Sequence, residues 1–128
     1  MDLRAPGESW SAEELRYLDE TREVEIAAAR APGRPGRWTT IWVVVANDEV
    51  LVRTWRRRTT GWYGGAVASG RARIAVAGGS VDVVVEITGD ADVGAVDAAY
   101  RAKYGSAGAE SMVAAEAAAS TLRLTRAA

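Results

Sequence analysis

Two pairs of apolar, β-branched segments constrain the fold of this chain more than any other feature of its sequence. The runs WTTIWVVVA and EVLVRTW are separated by Asn47 and Asp48. The runs RARIAVA and SVDVVVEIT flank Gly78 and Gly79. Runs of this composition favour strands, and the residues between them accept the left-handed backbone conformations of tight turns. The sequence therefore predicts two antiparallel hairpins.

Two further segments alternate as strands do. Residues 22–30, REVEIAAAR, precede the hairpins, and residues 120–126, STLRLTR, follow them. The prediction is an α+β fold with six antiparallel strands, and closing such a sheet into a barrel removes its exposed edges. At 128 residues the chain suits one domain, residues 1–128.

Helices are predicted before the first strand and before the last one. Ser11 and Glu14 have the spacing of a capping box, so a helix should begin at Ala12 and run to about Glu20. One or two helices are predicted before the last strand. The second candidate is the segment GAESMVAAEAAAS. The first has apolar residues at nearly helical spacing between a candidate N-cap and C-cap: Val93, Val96, Tyr100 and Tyr104 between Asp92 and Gly105.

The helical segments raise two further points, an expected surface ion pair and one segment whose structure the sequence does not decide. Asp97 and Arg101 lie one turn apart, so an ion pair between them is expected on the helix surface. The segment GWYGGAVASG, residues 61–70, is compatible with a short helix or an irregular crossover, since its glycines weaken both.

Composition excludes several classes of function. The chain has no cysteine and no histidine, so disulfides, thiolate nucleophiles, Ser-His-Asp triads and the common zinc sites are ruled out, and no metal site is expected. Its longest apolar run, residues 41–46, is too short to cross a bilayer, so we expect a cytoplasmic protein. A net charge of −1 and the lack of a docking motif argue against nucleic acid.

Positive charge is segregated in the middle of the chain. No acidic residue lies between Glu49 and Asp82, whereas six arginines do. Guanidinium groups at the end of a strand can bind phosphate or carboxylate oxygens in pairs, and hydroxyl groups add donors. The alternative is a solvated loop. The candidate anion-binding residues come from two loops: Arg34, Arg37, Arg56, Arg58, Thr59 and Thr60.

Aromatic residues accompany these arginines. Trp55, Trp62 and Tyr63 could stack on a planar heterocycle while the arginines hold its phosphate, whereas Trp42, deep in an apolar run, is interpreted as a core residue. Tyr63 and Tyr100 are the candidate acids for catalysis, although Tyr100 also fits a packing role.

The order of these segments resembles a known family. The helix with WSAEEL, the segments GRPGRWTTIWVVV and VLVRTWRRRTTGWYGGA, and the motif D-x-A-Y-x-x-K-Y-G, from Asp97 to Gly105, are similar to an uncharacterised, largely actinobacterial family of FMN-binding split barrels. Its relatives are the pyridoxamine phosphate oxidases and the deazaflavin-dependent nitroreductases. Two positions depart from the nitroreductase motif W-Y-H-N-L, because Gly64 and Gly65 replace its histidine and asparagine.

The resemblance implies a split barrel, usually dimeric, with a ligand near the dimer interface beside an anion-binding loop. Two functions follow. The first is a flavin- or deazaflavin-dependent oxidoreductase, with FMN or a deazaflavin coenzyme bound by the arginines and ring residues above. The second is a cofactor-free barrel that binds or isomerises a small acidic metabolite through arginine and tyrosine. A plain interaction protein, in which the arginines only keep a homodimer soluble, is a third possibility.

Overall fold

Nine strands and five helices make up the part of the chain that the structure, a computed structural model, describes: residues 7–31, 34–54, 61–76, 78–88 and 92–127. The strands are β1 (Gly7–Glu8), β2 (Val24–Ala31), β3 (Arg34–Pro35), β4 (Thr39–Ile41), β5 (Val44–Ala46), β6 (Glu49–Val52), β7 (Arg71–Val76), β8 (Gly79–Ile87) and β9 (Leu122–Ala127). The helices are α1 (Ala12–Glu20), α2 (Gly61–Ser69), α3 (Val93–Tyr104), α4 (Ser106–Val113) and α5 (Ala115–Ala119).

These strands form one antiparallel sheet that curls on itself. Its hydrogen-bonded order is β3-β2-β7-β8-β9-β6-β5, with β1 paired to β9 and β4 paired to β2. Only Trp42 and Val43 join β4, at the β2 end, to β5 at the other end. The chain itself therefore connects the two ends of the sheet.

The predicted number of six strands is wrong in detail. The run WTTIWVVVA, expected to be one strand, is divided into β4 and β5, and the two-residue strands β1 and β3 were not predicted. The other predicted strands correspond to β2, β6, β7, β8 and β9.

The division at Val43 has a physical cause. The Val43 amide donates to the hydroxyl of Tyr104 at 3.2 Å, and the Val43 carbonyl accepts from Lys103 Nζ at 2.6 Å. The ring of Trp42 stacks on that of Tyr104, with centroids 4.0 Å apart and planes 5° apart. Because side chains of α3 satisfy the polar groups of Val43, the backbone there does not need a neighbouring strand.

Local signals for turns and for α1 are confirmed. Glu14 N donates to Ser11 Oγ at 3.1 Å and Ser11 N donates to Glu14 Oε1 at 2.9 Å, which completes the capping box of α1. The hairpin between β5 and β6 turns at Asn47 and Asp48, with φ of 52° and 62°. Gly78, with φ of 83°, precedes β8 in the second hairpin.

The helical predictions near the C-terminus need correction. Three helices, not one or two, lie before β9: α3, α4 and α5. Asp92 occupies the N-cap position of α3, but it has a left-handed backbone and its side chain makes no capping hydrogen bond. Gly105, with φ of 80°, ends α3 as expected. The segment that the sequence left open, residues 61–69, is the helix α2.

Strand β6 separates two hydrophobic clusters. Val50 and Val52 point into the larger cluster inside the curled sheet, and Leu51 points into a second cluster beneath α3 and α4. Both faces of β6 are therefore buried, which explains its unbroken apolar run. Within the described residues, no helix is long and apolar enough to cross a membrane.

Candidate functional site

Several predicted site residues lie outside the described residues. Trp55, Arg56, Arg58, Thr59 and Thr60 all belong to the segment 55–60, of which nothing is described. Arg34 lies in β3, where only the backbone is described. The predicted site is therefore represented by Arg37, Trp62, Tyr63 and Tyr100.

Arg37 and Trp62 line one cavity of about 850 Å³, which we call the α2 cavity. Arg37 is exposed and Trp62 is half-buried. The turn that carries Arg37 is tied to β2, because Gly36 N donates to the Ala28 carbonyl at 2.6 Å. The cavity is lined by Ala28, Ala29, Gly36, Arg37, Thr39, Gly61, Trp62, Gly65, Ala68 and Ser69.

Small residues allow α2 to lie close against β2 at this cavity. A Cβ added at Gly65 would come within 3.0 Å of the Ala28 Cβ, closer than two carbon atoms pack. The lining is mostly glycine and alanine, so the backbone itself is accessible from the cavity. Such a surface permits the close approach of a flat ligand or of phosphate oxygens.

A second cavity, of about 360 Å³, lies beside the first, and we call it the Arg53 cavity. Trp62 lines both cavities, so the two are adjacent. The lining residues are Glu23, Thr40, Ile41, Trp42, Arg53, Thr54, Trp62, Ser111 and Met112.

Arg53 is the functional candidate that the sequence analysis missed. The residue is only 1% exposed, although arginine is almost never buried so completely. Its Nε donates to Thr121 Oγ1 at 2.8 Å, and its Nη1 donates to Asp97 Oδ1 at 2.6 Å and to the Met112 carbonyl at 2.8 Å. Its Nη2 has no partner among the residues that the structure describes. The sequence did contain a signal for this burial, because Arg53 directly follows the apolar residues of strand β6.

The ion pair of Arg53 corrects the expected pairing of Asp97. The sequence predicted a surface pair with Arg101, one helical turn away, but Asp97 binds the buried Arg53, 44 residues earlier. The Arg53 guanidinium carbon also lies 5.4 Å from the centroid of the Tyr100 ring. A cation held over an aromatic face in this way adds to the stability of the buried charge.

The two candidate tyrosines lie in the interior. The Tyr63 hydroxyl donates to the Ser120 carbonyl at 2.8 Å, and its ring meets that of Trp62 edge to face, with centroids 5.5 Å apart. The Tyr100 hydroxyl is buried and has no partner among the described residues. Burial raises the pKa of Tyr100 well above that of a free phenol, and the nearby Arg53 charge opposes this only in part. Tyr100 therefore stays protonated at neutral pH.

The motif D-x-A-Y-x-x-K-Y-G attaches α3 to the sheet. In addition to the ion pair between Asp97 and Arg53, Lys103 Nζ donates to the Leu18 carbonyl at 2.8 Å and to the Val43 carbonyl at 2.6 Å. The Tyr104 hydroxyl lies 2.6 Å from the Arg22 carbonyl. Burial lowers the pKa of Lys103 to about 8, with Asp19 opposing and Arg22 adding to the shift.

Comparison with known proteins places the chain among proteins of the same fold. Residues 14–124 match a family described as "Uncharacterized protein conserved in bacteria (DUF2255)". No curated protein matches the chain significantly. Solved structures do match. Rv2991, a conserved hypothetical protein of Mycobacterium tuberculosis, is 17% identical with a TM-score of 0.64, over 97% of this chain and 83% of that one.

Two further solved structures carry a ligand or an activity in their names. An FAD-binding protein from Mesorhizobium loti is 16% identical with a TM-score of 0.57, over 91% of this chain and 88% of that one. An F420 reductase is 15% identical with a TM-score of 0.61, over 93% of this chain and 96% of that one. At these identities the likeness shows a common fold.

Proposed function

The chain belongs to this bacterial family, DUF2255, and we propose that it is a flavin- or deazaflavin-dependent oxidoreductase acting on a small organic substrate. One observation carries the proposal: Arg37, from the first basic loop, and Trp62, from the aromatic segment, line the same α2 cavity. These two parts of the sequence were expected to serve the phosphate and the ring of one cofactor.

The α2 cavity fits a phosphorylated, planar cofactor in size and chemistry. Its volume, about 850 Å³, lies within the range of roughly 300–1,000 Å³ that is usual for small-molecule and cofactor sites. Arg37 can bind phosphate oxygens through two parallel N–H groups. Gly61 begins α2, so backbone amides of its first turn add donors. Trp62 offers an aromatic surface for the ring.

In this proposal the residues outside the described ranges extend the same site. The segment 55–60 directly precedes Gly61, so Arg56, Arg58, Thr59 and Thr60 would add phosphate donors next to the start of α2. Trp55 would add a second ring, and Arg34 would add charge from β3.

The protein would bind and orient the cofactor, which itself supplies the hydride chemistry. Tyr63 helps to position Trp62 at the cavity. Its hydroxyl donates to the Ser120 carbonyl and its ring contacts Trp62, and both interactions fix the position of α2. The names of the two solved structures above, an F420 reductase and an FAD-binding protein, support the type of cofactor. A homodimer in the cytoplasm is part of the same proposal, and light scattering on the purified protein tests the dimer.

The test is the visible absorption of the purified protein, titrated with FMN and with the deazaflavin coenzyme F420. A saturable complex with either supports the proposal. In that case Arg37→Ala should weaken binding about tenfold or more, because it removes charge-assisted hydrogen bonds. The matched control, Arg16→Ala, changes an exposed arginine of α1 that does not line the cavity, and should leave affinity unchanged.

A second double variant tests the segment outside the described residues. Arg56→Ala with Arg58→Ala should abolish cofactor retention and leave the melting temperature almost unchanged. If neither cofactor binds, the cofactor-free alternative replaces the proposal; the presence of Gly64 and Gly65 in place of a His-Asn pair favours that alternative.

A further inference from the structure

We propose that a cavity beside Ile87 is a second binding site, and that it takes a small primary amine that carries an apolar chain or ring. The cavity has a volume of about 320 Å³, and we call it the Ile87 cavity. It lies between the end of β8, the start of α3 and the turn that joins β5 to β6. Neither Arg37 nor Trp62 lines it, so the proposal goes beyond the cofactor site and does not depend on it.

The apolar wall of the cavity contains the most exposed large apolar residue in the described part of the chain. Ile87 is 61% exposed, compared with 39% for Trp38 and 37% for Val93. Ala95, exposed on α3, and Ala46, half-buried in β5, line the cavity together with Ile87. Ile87 therefore belongs to a concave apolar surface, and a ligand that covers it gains the free energy of removing that surface from water.

Carboxylates outnumber cations at this cavity. Among the described residues, the charged ones that line it are Glu49, Asp92 and Arg123. Arg123 donates to Glu49 at 2.8 Å and to Glu86 at 2.7 Å, and the side chains of Glu49 and Arg123 remain 36% and 32% exposed. Asp92 is exposed, and its side chain makes no capping hydrogen bond. One guanidinium thus faces three carboxylates, and the uncompensated negative charge favours a cationic ligand.

The position and size of the cavity define the ligand further. A helix N-terminus carries partial positive charge, but Asp92 is the N-cap residue of α3, so its carboxylate offsets that charge. The ammonium group of an amine can therefore lie against the carboxylates while its apolar part covers Ile87 and Ala95. The volume is near the lower end of the usual range for small-molecule sites, roughly 300–1,000 Å³, so the ligand is small.

Two residues of the cavity give unique NMR signals. The chain has four isoleucines, and Ile87 is exposed whereas Ile26, Ile41 and Ile74 are buried. Asn47 also lines the cavity, and because the chain has no other asparagine and no glutamine, its side-chain amide is the only one. Spectra of the isoleucine methyl groups and of the Asn47 amide therefore report on the site without further assignment of side chains.

Phenethylamine, phenylethanol and phenylpropionate separate the effects of charge and apolar surface, because they share an apolar part and differ in charge. In the protein without added cofactor, we expect phenethylamine to shift the signals of Ile87 and Asn47 and to leave that of Ile26 in place. It should bind about fivefold more tightly than phenylethanol, and phenylpropionate should bind most weakly. Methylamine, which lacks the apolar part, should also bind more weakly than phenethylamine. No shift with phenethylamine, or equal affinity for phenylpropionate, would overturn the proposal.

Two pairs of variants test the location of the site and its charge. Ala95 and Ala98 are both exposed on α3, but only Ala95 lines the cavity, and leucine suits a helix at either position. Ala95→Leu fills the cavity and should weaken phenethylamine binding at least about fivefold, while Ala98→Leu should keep the wild-type affinity. Equal binding by these two variants contradicts the proposal.

Asp92→Asn should narrow the difference in affinity between phenethylamine and phenylethanol, because it removes one of the carboxylates at the cavity. Asp82→Asn changes the net charge equally at an exposed position that does not line the cavity, and should keep the wild-type difference. An equal effect of the two variants would count against the proposal. Failure of FMN and F420 to bind would leave all these results unaffected and would count against the cofactor site alone.

Discussion

The buried ion pair between Arg53 and Asp97 permits a quantitative prediction. Breaking a buried pair by removing one partner costs roughly 3–5 kcal/mol, because the other charge is left uncompensated in the interior. Asp97→Asn should lower the free energy of unfolding by about 3 kcal/mol, the lower end of this range. The Asp97 side chain keeps 18% of its surface exposed, and Thr121 and the Met112 carbonyl still accept from the guanidinium.

Urea unfolding followed by tryptophan fluorescence measures this loss. With a urea dependence of about 2 kcal/mol per molar, the midpoint of Asp97→Asn should fall by roughly 1.5 M. The matched control is Asp82→Asn, which removes the partner of Arg73 on the surface between β7 and β8 at a similar distance, 2.7 Å. That midpoint should hardly move, since exposed ion pairs contribute little. Equal midpoints for the two variants would refute the reasoning from burial.

The remaining predictions concern Lys103 and the contact between α2 and β2. Because burial lowers the pKa of Lys103 to about 8 from 10.5, the folded protein binds fewer protons than the unfolded chain between these values. The wild-type protein should therefore gain stability relative to Lys103→Met as pH rises from 8 to 9.5, and equal pH slopes in urea unfolding would contradict this. Gly65→Ala, whose Cβ meets that of Ala28 at 3.0 Å, should be less stable than Gly108→Ala by about 1 kcal/mol or more. Position 108 has room for the new methyl group. Because alanine has a higher helix propensity than glycine, Gly108→Ala should raise the melting temperature.

The features predictable from sequence are those that a few adjacent residues determine. Ser11 and Glu14 are enough to start α1, and Asn47 and Asp48 are enough to turn the hairpin between β5 and β6. In each case the partner groups lie within three residues, so the pattern itself contains the interaction.

The features that could not be predicted depend on contacts between distant residues. The break at Val43 is caused by Lys103 and Tyr104, about 60 residues away, and nothing in WTTIWVVVA marks the position. The sequence predicted that Asp97 pairs with its helical neighbour Arg101, yet it pairs with Arg53, because the tertiary fold brings that buried guanidinium to within 2.6 Å of the carboxylate. The sequence predicted that Arg37 and Trp62 serve one ligand, but the position and lining of the cavity they share depend on the tertiary fold.

The side-chain bonds from α3 to Val43 occupy backbone groups at the junction of β4 and β5. Strand β5 is paired on one side, with β6, and α3 is fastened beside it through Lys103 and Tyr104. An unpaired strand edge is a template for intermolecular β-pairing. If α3 detached, the amide and carbonyl of Val43 would lose these partners, and a neighbouring chain could pair with them. Docking of α3 therefore occupies backbone groups that could otherwise pair with another chain.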